Sequence, residues 1–164
     1  PQESLIMSAA LADVLHTDPQ FLLAQAREQA HQAGLGFAGA LPPRQAWQLV
    51  QQQAATLVDV RTAEERKFVG QIPGSVAVAW ATGTAFTRNP RFIRELEARF
   101  AKDQVLLLIC RSGQRSAAAA LAATAAGFSQ VFQVLEGFEG ELNGQQQRGH
   151  QAGWRFHGLP WVQD

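Results

Sequence analysis

At 164 residues, with 46% hydrophobic and 17% charged side chains, the chain can build one ordinary domain with its own core, which excludes a disordered polymer. Fourteen basic residues offset fourteen acidic ones, leaving no net charge to draw a nucleic acid or an anionic membrane, and neither is expected as a partner. One cysteine excludes an internal disulfide, and without a second sulfur ligand no structural zinc site, metal or other cofactor is expected.

Asp18-Pro19 can cap and start a helix running to about residue 31, with Phe21, Leu22, Ala26 and Ala30 on one face and Gly34 and Gly36 ending it. Residues 1–39 read as a helical N-terminal extension whose apolar stripe packs on the main domain, 40–164. Pro42-Pro43 opens a second helix to about residue 53, with Ala46, Trp47, Leu49 and Val50 as its apolar contacts. From there short apolar strands alternate with helices. Strands are expected over 56–60, 76–80, 105–109 and 130–135, and helices over 63–68, 91–100 and 115–126. Alternation of this kind implies an α/β fold of three layers, a parallel sheet of about five strands covered by helices on both faces. Residues 137–164, rich in Gly and Gln, read as a wrapped segment anchored by Trp154 and Trp161.

In such sheets, sites form outside the carboxyl ends of strands. Cys110 follows directly on Val105-Leu106-Leu107-Leu108-Ile109, the most continuous apolar run in the chain, and so stands at such an end. The segment Cys110-Arg111-Ser112-Gly113-Gln114-Arg115-Ser116 then turns tightly into a helix. Backbone amides curled in this way point at one centre, and with the positive helix end they favour a thiolate and an anion bound beside it. Gly113 permits the turn, while Arg111 and Arg115 supply positive charge. Free cysteine is often an inert buried hydrophobe, but two guanidiniums beside an apolar pocket call for an anion. Asp59 and Arg61, at the end of a neighbouring strand, suit a supporting role in which they satisfy local backbone and ion pairs. Trp80 and Phe86 read as core aromatics rather than pocket lining. His16, His31, His150 and His157 show no metal-ligand spacing and read as surface or packing residues.

Four stretches, in order, resemble the single-domain rhodanese-like sulfurtransferase family over about residues 40–162. Leu57-Val58-Asp59-Val60-Arg61 with Glu64-Glu65 is similar to its first strand motif, and Gly70-Gln71-Ile72-Pro73-Gly74-Ser75 to its Gly-His-Ile-Pro-Gly-Ala turn. The loop from Cys110 to Ser116 is similar to its active site. Gly127-Phe128-Ser129-Gln130-Val131 resembles the family's next helix-to-strand turn, and Gly137-Phe138 with Gly158-Leu159-Pro160-Trp161 its closing segment. Two positions depart from the pattern: Gln71 replaces the common His, and Glu136 stands where Gly often precedes Gly-Phe.

The resemblance implies an enzyme of the thiosulfate sulfurtransferase type. Cys110 would attack a small-molecule sulfur donor, thiosulfate or a persulfide, and carry the sulfur as a cysteine persulfide to cyanide, a thiol or a protein acceptor. Arg111, Ser112, Gly113, Gln114, Arg115 and Ser116 would form the anion cradle. Alternatives are a non-catalytic rhodanese-like binding module, or a cysteine phosphatase or arsenate reductase. The phosphatases are similar in logic but place five residues between Cys and Arg, where this loop has four. No apolar run approaches the ~18 residues of a membrane span. Residues 1–17 lack the basic start of a secretory signal, and a lone thiol suits a reducing compartment, so a soluble cytoplasmic protein is expected. The start at Pro1 leaves a removed leader open.

Overall fold

The computed structural model describes residues 18–164. His16 and the first part of the expected N-terminal extension lie outside the described residues. Helix α1 (Pro19–Ala33) begins where Asp18 accepts a hydrogen bond from the Gln20 amide at 2.9 Å, and ends at Gly34 with φ +69°. A side-chain acceptor at the start, Pro in the first turn and a left-handed glycine at the stop are each favoured by helix-end geometry. Strand β1 (Gly39–Leu41) comes next, then α2 (Pro43–Gln51), β2 (Thr56–Asp59), α3 (Ala63–Phe68) and β3 (Val76–Ala77). A small antiparallel hairpin, β4 (Ala81–Thr82) with β5 (Thr87–Arg88), precedes α4 (Phe92–Arg99), β6 (Leu106–Ile109), α5 (Gln114–Ala125) and β7 (Val131–Val134).

Five strands form one wholly parallel sheet in the order β1-β7-β6-β2-β3. The strand over 76–80 is shorter than its apolar pattern suggests, because only Val76–Ala77 stays in register with β2. The fifth strand, β1, lies across the expected boundary at 39/40 and pairs with β7. Three residues, Gly39-Ala40-Leu41 before Pro42, are too few to show a strand period. Gly39 is required there: a Cβ would come within 2.8 Å of the Ala26 carbonyl oxygen of α1.

The sheet is buried on both faces. On one, Leu22, Leu23 and Ala26 of α1 and Ala46 and Leu49 of α2 pack on Leu57, Leu107, Ile109, Phe132 and Val134. On the other, Phe92 and Leu96 of α4 and Ala119, Ala120 and Ala123 of α5 pack on Val58, Leu106, Leu108 and Val131. Central β6 is therefore apolar at every residue, as a strand covered twice must be. Each fully buried leucine contributes roughly 1.5–3 kcal/mol, so α1 is bound to the sheet through its own core side chains. The segment after β7 wraps the first face. Trp154 is fully buried, meets Trp47 edge-on at 5.8 Å and donates from Nε1 to the Pro160 carbonyl. Val162 forms an antiparallel bridge with Gln71. No helix of the described residues is long and apolar enough to cross a membrane.

From β2 the chain continues outward to β3, whereas from β6 it continues to β7 on the other side. The carboxyl ends of β2 and β6 thus flank the point where the winding reverses, the usual place for a site in an open parallel sheet.

Candidate active site

Cys110 ends β6 at this point, and its side chain is almost wholly buried, 1% exposed. Gly113, with φ +126°, turns the chain so that α5 starts at Gln114. A β-carbon-bearing residue is strained in that conformation, which explains the glycine. The turn aims two amides at the sulfur: Gly113 N–H donates to Cys110 Sγ at 3.1 Å and Ser116 N–H at 3.3 Å. The thiol in turn donates to Ser116 Oγ at 3.3 Å, and that hydroxyl donates to the Gly113 carbonyl at 3.1 Å. The first-turn amides of α5 have no partner within their own helix, so the loop concentrates donors around one sulfur.

The loop is fixed from behind by the chain after β7. Phe138 N–H donates to the Cys110 carbonyl at 2.8 Å, and the amides of Glu139 and Gly140 both donate to the Arg111 carbonyl. Gly137, with φ +70°, makes this approach possible: a Cβ there would lie 2.6 Å from the Ser112 nitrogen and closer still to the Arg111 carbonyl.

Arg115 turns toward α3, where its guanidinium donates to both oxygens of Glu65, Nη1 to Oε1 at 2.7 Å and Nη2 to Oε2 at 2.9 Å. Glu65 also closes the capping box of α3 with Thr62. Burial pushes the Glu65 carboxyl up, but the hydrogen bonds and charge of Arg115 outweigh it, and the group sits below its ordinary value. Arg115 is held above its own: burial opposes its charge, and Glu65, with smaller help from Cys110 and Asp59, more than restores it. Over the two arginines lies Phe86, at the tip of the β4–β5 hairpin with φ +54°, its ring 4.5 Å from the Arg115 guanidinium and 5.6 Å from that of Arg111. The Nε of Arg111 is buried with no hydrogen-bond partner among the described residues.

Phe86, Cys110, Arg111, Ser112, Gln114 and Arg115 enclose a cavity of about 130 Å³. It adjoins an open groove lined by Arg111, Ser112, Gln114, Glu141, Leu142 and Arg148. A buried sulfur facing two amides, with two guanidiniums at the cavity wall, is an arrangement suited to a thiolate nucleophile and a small oxyanion.

All seven residues from Cys110 to Ser116 are therefore gathered at one place. Asp59 and Arg61 are not part of it. Asp59 accepts from Arg61 and Arg66, and Arg61 reaches the Gly70 carbonyl and stacks 4.2 Å from the Phe138 ring, beside the segment that holds the Cys110 loop. Arg66 also reaches Gln71 at 2.6 Å, so the residue in place of the common His is engaged in packing. Glu136 uses its carboxylate to hold the Gly153 amide and His157. Trp80 is half-buried and packs on the core against Phe92, whereas Phe86, expected in the core, is 39% exposed above the loop. Two further site residues, Glu65 and Gln133, are not marked as such by the loop motif. Glu65 has a local signal in Thr62-x-x-Glu65; Gln133 on β7, which donates to the Gly113 carbonyl at 2.6 Å, has none, because only the sheet order brings it there.

Comparison with known proteins agrees with this architecture. The family described as Rhodanese-like domain matches residues 42–141. The crystal structure of Rv0390 from M. tuberculosis is 42% identical in sequence, with a TM-score of 0.70, over 78% of this chain and 99% of that one. An uncharacterised protein of Rickettsia conorii is 33% identical over 119 residues, 69% of this chain and 87% of its own length. The thiosulfate sulfurtransferase GlpE of Pseudomonas savastanoi pv. phaseolicola is 34% identical over 60% of this chain and 82% of its own. With a five-stranded parallel sheet and the family's match across most of it, this chain belongs to the rhodanese-like domain family.

Proposed function

We propose that the protein is a sulfurtransferase that carries sulfane sulfur on Cys110. The observation that carries this reading is the Cys110 sulfur itself, facing the amides of Gly113 and Ser116 at the wall of a small cavity shared with Arg111 and Arg115. The Cys110 thiolate attacks the outer sulfur of thiosulfate; the new sulfur–sulfur bond forms as the old one breaks, and sulfite leaves with the electron pair. The guanidiniums of Arg111 and Arg115 neutralise the anionic donor and the leaving sulfite, and the loop amides hold the terminal persulfide sulfur. A persulfide donor enters by the same route with a thiolate as leaving group.

An acceptor then removes the sulfur and regenerates the thiolate. Cyanide is small enough for the 130 Å³ cavity. A larger thiol, free or on a protein, approaches along the groove of Gln114, Glu141, Leu142 and Arg148. A reducing compartment such as the cytoplasm suits a free thiol nucleophile. The similarity to a protein named as a thiosulfate sulfurtransferase supports the same choice of donor. The test is steady-state production of thiocyanate from thiosulfate and cyanide, with Cys110→Ser as control. Turnover lost in the variant is expected. Absence of turnover with either donor class, together with hydrolysis of an aryl phosphate, would overturn it in favour of phosphatase chemistry.

A further inference from the structure

The proposed sulfur transfer, on which this inference rests, requires Cys110 to exchange one state for another: a thiol that donates, then a thiolate or persulfide that only accepts. Around it Ser116 is fully buried, and its single hydroxyl proton is committed to the Gly113 carbonyl at 3.1 Å while its oxygen accepts from the thiol at 3.3 Å. Once the thiol has released its proton to solvent, the nearest additional donor for the sulfur is this same hydroxyl. Turning it toward sulfur removes one donor from a part-buried carbonyl, which is costly unless another donor remains.

Gln133 supplies that donor. Its Nε2 lies 2.6 Å from the Gly113 carbonyl, closer than the serine hydroxyl, and 3.2 Å from Ser116 Oγ. With Gln133 in place, the carbonyl keeps a hydrogen bond when the hydroxyl turns, and the serine oxygen, which already accepts from both the thiol and Gln133 Nε2, keeps the Gln133 N–H when the thiol proton is gone. We propose that Gln133 is a positioning residue that acts through Ser116: it lets one buried hydroxyl serve the thiol before ionisation and the sulfur anion after it. It touches neither donor nor acceptor substrate. The charged groups nearest the sulfur, Arg111 and Arg115 with Glu65 behind Arg115, keep their charges in an uncharged substitution at 133, as do Glu136 and Glu141, which share a cavity with Gln133.

Because the chain has one cysteine, its thiolate is read directly as the absorbance at about 240 nm that Cys110→Ser lacks. At neutral pH, Gln133→Met, which keeps the length and removes the donor, is expected to lower this absorbance and to slow alkylation by iodoacetamide about three- to tenfold. Gln133→Glu, similar in size, removes the donor and adds a negative charge that itself opposes a sulfur anion, and is expected to lower both further than Gln133→Met. In a Ser116→Ala background the Gln133→Met change is expected to have no further effect, since its route to the sulfur is already gone. A merely structural role would move urea stability and leave the thiolate signal of the folded protein unchanged. The proposal is overturned if Gln133→Met and Gln133→Glu alkylate like the wild type while folded, or if the losses from Gln133→Met and Ser116→Ala multiply. These readouts need no sulfur donor, so failure of the sulfurtransferase reading would show separately, as alkylation without thiocyanate production.

Discussion

Arg115 and Glu65 face each other in a two-pronged pair, with Nη1 to Oε1 at 2.7 Å and Nη2 to Oε2 at 2.9 Å, that joins the start of α5 to the first turn of α3. The guanidinium is thereby fixed in the plane of the carboxylate, a geometry that a lysine ammonium does not reproduce. Its side chain and that of Glu65 are only 15% and 12% exposed, so the pair is shielded from most solvent screening.

Glu65→Gln keeps the size of the side chain and removes the charge. It is expected to cost about 1.5–3 kcal/mol of stability, the range for a hydrogen bond to a charged group. The KM for thiosulfate is expected to rise while the native circular dichroism spectrum stays unchanged. Arg115→Lys is expected to show the same KM effect with a smaller loss of stability. Urea titration and donor kinetics check both; an unchanged KM in each variant would remove Arg115 from donor binding.

The same pair sets an acid limit. The Glu65 carboxyl has a lower affinity for protons in the folded chain than in the unfolded one, so the unfolded state binds more protons as pH falls. The contribution of Glu65 is complete above the ordinary glutamate value of about 4.3 and is lost as pH drops through the lower folded value. Unfolding free energy measured against pH is expected to fall in that acidic window, and Glu65→Gln is expected to flatten the fall. A wild-type and variant curve of equal slope there would contradict the assignment.

Phe86 covers both arginines from the hairpin tip. An exposed cation–π contact is worth about 0.5–1 kcal/mol, so Phe86→Ala is expected to raise the KM for thiosulfate roughly two- to fivefold. Stability should change little, because the ring is 39% exposed. A large loss of stability with unchanged kinetics would return Phe86 to a packing role.

Gly137→Ala tests the support behind the loop. The added carbon meets the Arg111 carbonyl and the Ser112 nitrogen, both backbone atoms that cannot swing aside, at a φ that disfavours it. A loss of more than about 3 kcal/mol is expected, measured by thermal or urea unfolding, together with loss of activity in whatever folds.

Much of this was legible in the sequence because the signals are local. The apolar run before Cys110 placed it at a strand end, and Gly113 between two arginines marked the tight turn into α5 that is found. The alternation of strands and helices implied the covered parallel sheet that is found. What was not legible depends on contacts between distant parts of the chain. Strand β1 is three residues long and exists only through β7. Gln133 reaches Gly113 because β7 lies next to β6, and Phe86 lies over the loop because a hairpin bends it there, while its apolar character alone argues for the core.

The central claim is most directly tested by the intact mass of the purified protein before and after thiosulfate, and again after cyanide. A gain of about 32 Da, one sulfur carried on a covalent nucleophile, removed by cyanide and absent in Cys110→Ser, is the predicted result. An unchanged mass with thiosulfate and with a persulfide donor, in protein whose Cys110 still reacts with iodoacetamide, would contradict it.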